Sequence, residues 1–259
     1  MLRLLRKTRQ WLSRDIIEAI EKQSAFQSAL FKFYALPDRV LDFYFEGKLV
    51  KMFIPDADRD LVQNEILLRR CFYELPTLSA CRERYGLKDA VILDIGANIG
   101  NHAVFYGAVC QVAQCLAFEP NHYTASILDR NIRQNGLGKS ITARPEAISA
   151  RACRMRYDRH ESGNLGGISF LPADDGLVQA ISIDDLELTQ IDFIKIDVEG
   201  TAANVIAGAK ETLSAYRPPL LIEIWPKEMA STERLLASLG YRRTASLSDR
   251  DNYFYERGR

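Results

Sequence analysis

The stretch VILDIGANIG, residues 91–100, decides the fold of this chain. Its apolar run ends around an acidic residue, Asp94, and is followed by two glycines, Gly96 and Gly100. This pattern predicts a buried strand, a tight turn and then a helix over residues 101–109. Such a unit is a common cofactor cradle, because a bare glycine backbone lets a ligand approach closely. The alternative is an ordinary strand-to-helix turn with glycines at a helix cap.

The spacing Asp94-x-Gly96-x-x-x-Gly100 differs from the G-x-G-x-x-G spacing of dinucleotide-binding turns. The pyrophosphate of a dinucleotide needs a turn lined with backbone amides, and an acidic residue at the strand end would repel it. That acidic residue suits a ligand that carries an amine or hydroxyls and no phosphate. S-adenosyl-L-methionine, with its ammonium, sulfonium and ribose, is such a ligand. An NAD-dependent oxidoreductase is therefore the less favoured alternative.

Two further apolar segments end in carboxylates. Residues 115–118 are followed by Glu119, and a third apolar segment is followed by Asp197 and Glu199. The carboxyl ends of parallel strands meet at one edge of a sheet, so we expect these side chains to lie near the first glycine turn. A carboxylate one βα unit after the glycine turn can accept both hydroxyls of a ribose, which is the role predicted for Glu119.

In chain order, the segments VILDIGANIGNH, LAFEPN, SGNLGG, ISIDDL, FIKIDVEG and VIAGA resemble the FkbM-like family of class I S-adenosylmethionine-dependent methyltransferases. The resemblance spans residues 89–225. It implies S-adenosyl-L-methionine as the cofactor and O-methylation of a sugar or a secondary metabolite as the activity. One position departs from the family, which usually has an acidic residue two positions after Gly200, where this chain has Ala202. A non-catalytic binding module of the same fold is thus a further alternative.

The composition of the chain limits its classes of function. The chain has 259 residues, 47% of them hydrophobic, with 34 basic and 34 acidic side chains. This balance gives no reason to expect nucleic acid as a partner. The sequence contains neither an apolar stretch long enough to span a membrane nor a secretory signal. Five cysteines without a C-x-x-C pair indicate reduced thiols and a cytoplasmic location, and argue against a zinc site.

The first 88 residues are predicted to form a cap of helices and a hairpin over a core domain of residues 89–259. Residues 1–35 have the pattern of a basic amphipathic helix. Such a helix can contact an anionic membrane surface peripherally, or dock on its own domain or on a second subunit of a homo-oligomer, and we favour docking. The cap is further predicted to contain a strand pair at 41–45 and 49–54, and helices at 56–73 and 76–85.

Strands and helices alternate along the core domain, which predicts an α/β fold with a Rossmann-like, mostly parallel sheet and helices on both faces. The resemblance implies seven strands, the last two forming an antiparallel hairpin. The predicted strands are 91–95, 115–118, 140–144, 191–197, 219–224, 241–246 and 252–256, and the predicted helices are 101–109, 121–135, 202–214 and 227–239. Residues 145–190 break the alternation and are interpreted as a wall over the acceptor or, alternatively, as a surface hairpin.

The residues predicted to contact the cofactor surround the three acidic strand ends. Asp94 is expected to shape the turn and to reach the cofactor through water or backbone, while Gly96 and Gly100 give clearance. The asparagines of the turn offer amides to the methionine carboxylate or, alternatively, cap the helix. Glu146 and Ala147 follow the third strand, near the expected adenine edge. The full set is Asp94, Gly96, Asn98, Gly100, Asn101, His102, Glu119, Glu146, Ala147 and Asp197.

Asp197, Glu199 and His160 are the predicted catalytic residues. Neighbouring carboxylates can separate their pKa values, which leaves one of them able to accept the proton of a hydroxyl acceptor. Lys195 lies on the same face of its strand as Asp197 and is expected to pair with it, and Glu223 is expected to face inward. His160 belongs to the glycine-rich insert, where a histidine can act as a general base, or it is simply solvated. Methyl transfer requires no metal, and no set of metal ligands is evident in the sequence.

Overall fold

The computed structural model describes residues 23–24, 27–36, 38–160, 167–247 and 251–258. Most of the predicted basic helix lies outside these ranges, as do residues 161–166 of the glycine-rich segment. Residues 27–34 are helical, which agrees with the prediction for the end of that helix. Among the described residues, none of the helices is long and apolar enough to cross a lipid bilayer.

The elements that build the fold are labelled in chain order. The strands are β1 (Val40–Phe45), β2 (Lys48–Phe53), β3 (Val91–Ile95), β4 (Gln114–Phe118), β5 (Ile141–Arg144), β6 (Ala147–Ile148), β7 (Cys153–His160), β8 (Ile168–Pro172), β9 (Val178–Ile181), β10 (Phe193–Ile196), β11 (Leu220–Glu223), β12 (Tyr241–Leu247) and β13 (Asn252–Arg257). The helices are α1 (Leu61–Arg69), α2 (Leu75–Tyr85), α3 (Asn101–Phe105), α4 (His122–Gln134), α5 (Ala202–Ala207), α6 (Lys210–Tyr216) and α7 (Met229–Ser238), and a π-helical turn, Tyr106–Cys110, continues α3.

A seven-stranded sheet with the order β12-β13-β11-β10-β3-β4-β5 forms the centre of the molecule. All neighbouring strands pair in parallel except β13, which is antiparallel to both β11 and β12. The predicted mostly parallel sheet and its final antiparallel hairpin are therefore confirmed. The strand order reverses between β3 and β10, and ligands of open α/β sheets bind at the carboxyl ends of the strands at such a point.

Side chains of this sheet alternate between two hydrophobic cores. Ile92 and Phe193 belong to one core, with residues of α3 and α4, whereas Leu93 and Ile194 belong to the other, with residues of α5 and α6. This alternation follows from the two-residue period of a strand. Because both faces are covered, the strands are apolar along their whole length, which is why the sequence shows them as continuous apolar runs.

The cap packs on the first of these cores. Phe72 makes edge-to-face contacts with Phe43 of β1, at a centroid distance of 5.3 Å, and with Phe105 of α3, at 5.2 Å. Burial of a phenylalanine side chain contributes about 1.5–3 kcal/mol. The side-chain oxygen of Asn131 on α4 accepts the backbone N–H of Phe53 at the end of β2. Residues before and after position 88 thus share one hydrophobic core, and the division into 1–88 and 89–259 stays a prediction.

Two predicted helices have different bounds in the structure. The helix predicted over 56–73 is only α1, because Asp60 caps its start by accepting the N–H of Gln63, and Arg70 ends it in the left-handed conformation. The helix predicted over 202–214 is divided into α5 and α6 at Gly208. The N–H of Asp184 donates to the carbonyl oxygen of Gly208, and the carboxylate of Asp184 accepts the N–H of Thr212 at the start of α6. The residue at this division must be glycine, because a Cβ there would lie 2.1 Å from the carbonyl oxygen of Ser149.

The segment that breaks the alternation forms a sheet of its own. Strands β6, β9, β7 and β8 pair in that order, with β7 antiparallel to both β8 and β9. The alternative of a simple surface hairpin is therefore wrong, while the role of this segment as a wall over the acceptor stays a prediction. Met155 and Val178 are buried in a small third core between its strands. This four-stranded sheet begins just after β5 and stands beside the carboxyl ends of the central strands.

Candidate functional site

The glycines of the turn after β3 are required by the packing of the protein itself. Gly96 has a φ angle of 77°, and a Cβ there would lie 1.7 Å from the carbonyl oxygen of Asp197. Gly100 has a φ angle of 89°, and a Cβ there would lie 2.7 Å from the side chain of Leu128 on α4. Both glycines therefore make room for the chain after β10 and for helix α4, and their clearance toward the cofactor stays a prediction.

Asp94 lies completely buried beneath this turn. Its Oδ1 atom is 3.3 Å from Nζ of Lys195, and that Nζ atom is also 3.4 Å from Oδ2 of Asp197, which confirms the predicted pairing. Burial raises the pKa of Asp94. Burial also opposes the charge of Lys195, but the two carboxylates raise the pKa of the lysine above its usual value. Lys195 is therefore a permanent positive charge between two carboxylates.

Glu119, at the end of β4, is held by three hydrogen bonds. Its Oε2 atom accepts the backbone N–H of Asn98 at 2.8 Å, while its Oε1 atom accepts the N–H of Asn121 at 3.0 Å and the hydroxyl of Thr124 at 2.9 Å. Burial raises its pKa and these donors lower it. A carboxylate has about four lone-pair directions, so Glu119 keeps the capacity to accept a further hydrogen bond from a ligand.

An apolar cavity lies between the carboxyl ends of the central strands and the four-stranded sheet. Its wall includes Phe118, Ile148, Met155 and Phe170, with Glu119 and Asp197 at one side. Ala147 of the four-stranded sheet was predicted at the site, whereas Ile148, Met155 and Phe170 were missed, because nothing in their local pattern marks them as facing a ligand.

Glu146 and Ala147, which we predicted near an adenine ring, both line the apolar cavity. The carboxylate of Glu146 forms an ion pair with Arg144 at 2.7 Å, and this hydrogen-bonded guanidinium lowers the pKa of Glu146. Ala147 is buried at the start of β6. Both residues reach the cavity because they lie where the chain passes from β5 into β6 of the four-stranded sheet.

A polar cavity adjoins the apolar cavity. Gly96, Glu119, Asp197 and Glu199 line both cavities. The polar cavity is further lined by Glu74, Asn98, Asn101, His102, Lys195 and Glu223. Glu74 comes from the cap, where it starts α2 in the left-handed conformation with a φ angle of 53°. These four shared residues form the junction between the apolar cavity and the polar cavity, which is rich in carboxylates.

The asparagines of the turn have different surroundings. The amide of Asn101 is bonded to the backbone of Tyr73, accepting its N–H at 2.9 Å and donating to its carbonyl at 3.0 Å. Gly100 occupies the N-cap position of α3 and the amide of Asn101 is used by Tyr73, so the alternative capping role of Asn101 is wrong. Asn98 instead keeps its buried Oδ1 atom without a hydrogen-bond partner among the described residues, in the wall of the polar cavity.

His102 is buried, with 7% of its surface exposed. Its Nδ1 atom faces the amide nitrogen of Asn101 at 3.4 Å. Its Nε2 atom has no hydrogen-bond partner among the described residues, since the carboxylate of Glu74 is 3.7 Å away. Burial lowers the pKa of His102 to about 3, so the imidazole is neutral at physiological pH.

Three carboxylates converge where β10 and β11 end. One oxygen each of Asp197, Glu199 and Glu223 lies within 4.8 Å of the others. The charge of Asp197 and burial raise the pKa of Glu223, whereas Lys195 and a hydrogen bond from Glu223 keep the pKa of Asp197 low despite burial. Asp197 therefore remains ionised while Glu223 retains a proton. The sequence interpretation found no set of metal ligands, because β11 brings Glu223 to the other two only in the folded chain.

Two further predictions concern His160 with its glycine-rich segment and the departure from the family pattern at Ala202. The side chain of His160 and residues 162–166 of the SGNLGG segment lie outside the described residues, although the backbone of His160 pairs with Ile168 in the four-stranded sheet. Ala202, the departure from the family pattern, is buried at the start of α5. Burial raises the pKa of Glu228 and the backbone N–H groups of Trp225, Ala203 and Ala202 lower it, so an acidic side chain from another part of the chain faces the start of this helix.

The chain matches a known protein family over more than half of its length. Residues 94–243 match the family model described as the methyltransferase FkbM domain. The matched range begins at the acidic residue of the first glycine turn and contains the described residues of both cavities except those of the cap. No curated protein matches the chain.

Two solved structures to which this chain is similar are distant from it in sequence. A methyltransferase FkbM from Methylobacillus flagellatus KT superposes with a TM-score of 0.50 at 17% identity, over 93% of this chain and 60% of that protein. The chain thus spans less than two thirds of that relative. A magnesium protoporphyrin IX methyltransferase from Synechocystis PCC 6803, solved with bound S-adenosylmethionine, gives a TM-score of 0.49 at 12% identity, over 76% of this chain and 84% of that one.

Proposed function

The chain belongs to the FkbM methyltransferase family, its cofactor is S-adenosyl-L-methionine, and from this premise we propose that it methylates a hydroxyl oxygen of a sugar or another small metabolite. The observation that supports this activity is the junction of the two cavities, which Glu119, Asp197 and Glu199 line from both sides. Methyl transfer is an in-line displacement, so the main task of the protein is to hold the two reacting atoms in contact. Two adjoining cavities, one for the methyl donor and one for the methyl acceptor, can hold these atoms together.

The apolar cavity fits the adenosine part of the cofactor. Ile148, Met155 and Phe170 offer apolar and aromatic surface to a purine ring. Glu119 lies between this surface and the polar cavity, where its carboxylate can accept the ribose hydroxyls. The unpartnered Oδ1 atom of Asn98 is an acceptor for the ammonium group. When bound, the cofactor supplies an electrophilic methyl group, and these side chains bind and orient it.

The polar cavity fits a hydroxylated acceptor. Its carboxylates accept hydrogen bonds from hydroxyl groups, and Lys195 keeps Asp197 ionised. As the new carbon–oxygen bond forms, the hydroxyl proton moves to a carboxylate, and Asp197 and Glu199 are the proposed acceptors of this proton. His160 is the third proposed acceptor. We further propose a small-molecule or glycan acceptor and no nucleic acid, while peripheral membrane contact, a homo-oligomer and a cytoplasmic location stay predictions.

The proposal is tested with the full chain and S-adenosylmethionine labelled with ¹³C in its methyl group. Sugars, polyols and phenols are compared with matched amines, and NMR identifies the methylated atom of each product. We expect labelled O-methyl products and S-adenosylhomocysteine only when a hydroxylated acceptor is present. Methylation of nitrogen alone would contradict the proposed O-methylation. Cofactor binding without any product across the panel would favour the non-catalytic module.

A further inference from the structure

A large groove opens between the cap and the final hairpin of the central sheet, beside the polar cavity. Its wall consists of residues 71–77 of the cap, Glu65 and Arg69 of α1, Leu247 of β12 and Asn252 of β13, and we call it the cap groove. It encloses about 610 Å³. Small-molecule sites in proteins have volumes of roughly 300–1,000 Å³, so the cap groove is large enough for a substantial part of a ligand.

The cap groove adjoins the polar cavity on two of its sides. On the side of the cap, Tyr73 and Glu74 line both spaces. On the side of the sheet, Glu223 of the polar cavity is paired with Asn252 of the cap groove across the antiparallel strands β11 and β13. A molecule whose reacting end lies in the polar cavity can therefore extend past Tyr73 and Glu74 into the cap groove.

The wall that the two spaces share is fixed to the glycine turn after β3. The buried amide of Asn101 accepts the N–H of Tyr73 at 2.9 Å and donates to its carbonyl oxygen at 3.0 Å. The next residue, Glu74, has a left-handed φ angle of 53°, and Pro76 restricts the backbone in the first turn of α2. The position of the cap groove relative to the junction of the cavities is thus set by specific contacts.

The side chains of the cap groove favour an uncharged, apolar occupant. Leu75 and Leu247 are only partly buried against the first hydrophobic core, and they line the groove together with Phe72. The two charged side chains that α1 contributes, Glu65 and Arg69, form an ion pair with each other. An alkyl chain or an aromatic ring would bury its own surface and the exposed parts of these leucines, which the hydrophobic effect favours.

We propose that the cap groove binds an uncharged apolar group of the methyl acceptor, either alkyl or aromatic, while the hydroxyl that is methylated lies in the polar cavity. This inference rests on the proposed O-methylation and adds the class of acceptor, which is a hydroxylated head with an apolar extension and not an unsubstituted sugar. The extension does not react, but its binding energy holds the hydroxyl at the junction of the cavities, where the methyl group is transferred.

The test compares octyl β-D-glucoside with methyl β-D-glucoside, which carry the same hydroxyl groups and differ only in the length of the alkyl chain. Calorimetry measures their binding to the full chain with saturating S-adenosylhomocysteine, at concentrations where the octyl compound forms no micelles. Each methylene group removed from water strengthens binding roughly fourfold. Burial of two or more methylene groups should therefore make octyl β-D-glucoside bind at least about 10-fold more tightly.

Two variants locate this preference in the cap groove. Leu75→Asp and Leu247→Asp each place a charge in its wall, and we expect each to remove the preference for the octyl compound. Leu177→Asp changes a leucine that is 85% exposed, before β9, and is the matched control that should keep the preference. Urea unfolding verifies that each variant is folded, and Leu75→Ser or Leu247→Ser replaces an aspartate variant that is not.

The outcomes separate this inference from the proposed function. If octyl β-D-glucoside binds the wild type no more tightly than methyl β-D-glucoside, the inference is overturned, and so it is by a preference that both groove variants retain. The first result together with O-methylation of other hydroxylated acceptors overturns the role of the cap groove and leaves the proposed function intact. A preference that either groove variant removes, without O-methylation of any acceptor, supports the cap groove and contradicts the proposed function.

Discussion

Nζ of Lys195 donates a hydrogen bond of 2.7 Å to the backbone carbonyl oxygen of Gly96. A side chain of β10 thereby fixes the turn that follows β3, the neighbouring strand. The same ammonium lies 3.3 Å from Asp94 and 3.4 Å from Asp197. One buried charge therefore neutralises a carboxylate beneath the turn, holds the turn itself and keeps Asp197 ionised at the junction of the two cavities.

Replacement of this ammonium is expected to destabilise the protein strongly. In Lys195→Met, the completely buried Asp94 loses its ion-pair partner, and removal of one member of a buried pair costs about 3–5 kcal/mol. Urea unfolding measures the loss, with Lys210→Met on the exposed start of α6 as the control. The additional change Asp94→Asn should recover part of the lost stability. A Lys195→Met variant as stable as the control would contradict this assignment.

Gly96 and Gly136 provide a matched test of why the turn needs glycine. Both have left-handed φ angles, 77° and 70°, but a Cβ at Gly96 meets the backbone of Asp197 at 1.7 Å whereas a Cβ at Gly136 meets nothing within 4 Å. Gly136→Ala is expected to cost about 1–2 kcal/mol from backbone conformation alone. Gly96→Ala should cost more than about 4 kcal/mol and abolish cofactor binding, because two strand ends must separate. Similar unfolding free energies for both variants would show that the close approach is unimportant.

The fold was predictable because its signals are local. The apolar strands, the glycine turns and the alternation of strands and helices give the central sheet, and the bounds of β3 agree with the predicted 91–95. The division of the helix at Gly208 was not predictable, since the residue that bonds to both sides of it, Asp184, is distant in the chain. The four-stranded sheet was missed for a similar reason: its pairing joins β6 to β9 across a long stretch.

Site residues that belong to a sequence motif could be predicted. Those that reach the site only through tertiary packing could not. The acidic strand ends bring Glu119, Asp197 and Glu199 to the shared wall of the cavities, as strand polarity implies. The sequence does not reveal that the amide of Asn101 is used by the backbone of Tyr73. It also does not reveal that Glu74 of the cap enters the polar cavity, because no local pattern connects the cap to the sheet edge.

The Glu119 carboxylate is expected to control cofactor affinity. Glu119→Gln keeps the size of the side chain but weakens the charge-assisted hydrogen bonds to a ribose, which are worth about 1.5–3 kcal/mol each. We therefore expect S-adenosylmethionine to bind roughly 10–100-fold more weakly by calorimetry. Glu146→Gln is the control, since this carboxylate lines the same cavity but is paired with Arg144. Equal affinities of Glu119→Gln and the wild type, or tight binding of NADH by the wild type, would argue against the assignment.

Buried His102 is expected to make stability depend on pH in the acidic range. Its pKa is lowered from 6.5 to about 3 by burial, so between these values the unfolded chain binds more protons than the folded one. Stability is complete above pH 6.5 and falls by up to about 1.4 kcal/mol per pH unit as the pH drops toward 3. Urea unfolding from pH 4.5 to 7.5 should show a shallower decline for His102→Gln. The exposed His122 gives the control His122→Gln, which should follow the wild type; identical slopes for all three proteins would contradict a buried neutral His102.

Asp197 is expected to be needed for turnover more than for cofactor binding. Lys195 keeps its carboxylate ionised at the junction of the cavities, where it can orient a hydroxyl and accept its proton. Asp197→Asn preserves the shape and removes the charge, and loss of a proton acceptor typically lowers the rate about 10²–10⁴-fold. The measurement is turnover at saturating S-adenosylmethionine, together with the cofactor affinity from calorimetry and Asp175→Asn on an exposed turn as the control.

The turnover and the cofactor affinity of Asp197→Asn together distinguish the possible roles of this residue. Loss of turnover with retained cofactor affinity supports a role toward the acceptor, and a parallel loss in His160→Ala would place that histidine in the same step. Full turnover in both variants would move the proton acceptor elsewhere, with Glu199→Gln as the next variant to measure, because Glu199 lines the same junction. A variant that no longer binds S-adenosylmethionine would instead show that Asp197 holds the cofactor, since its carboxylate lies between the chamber proposed for the adenosine and the chamber proposed for the acceptor.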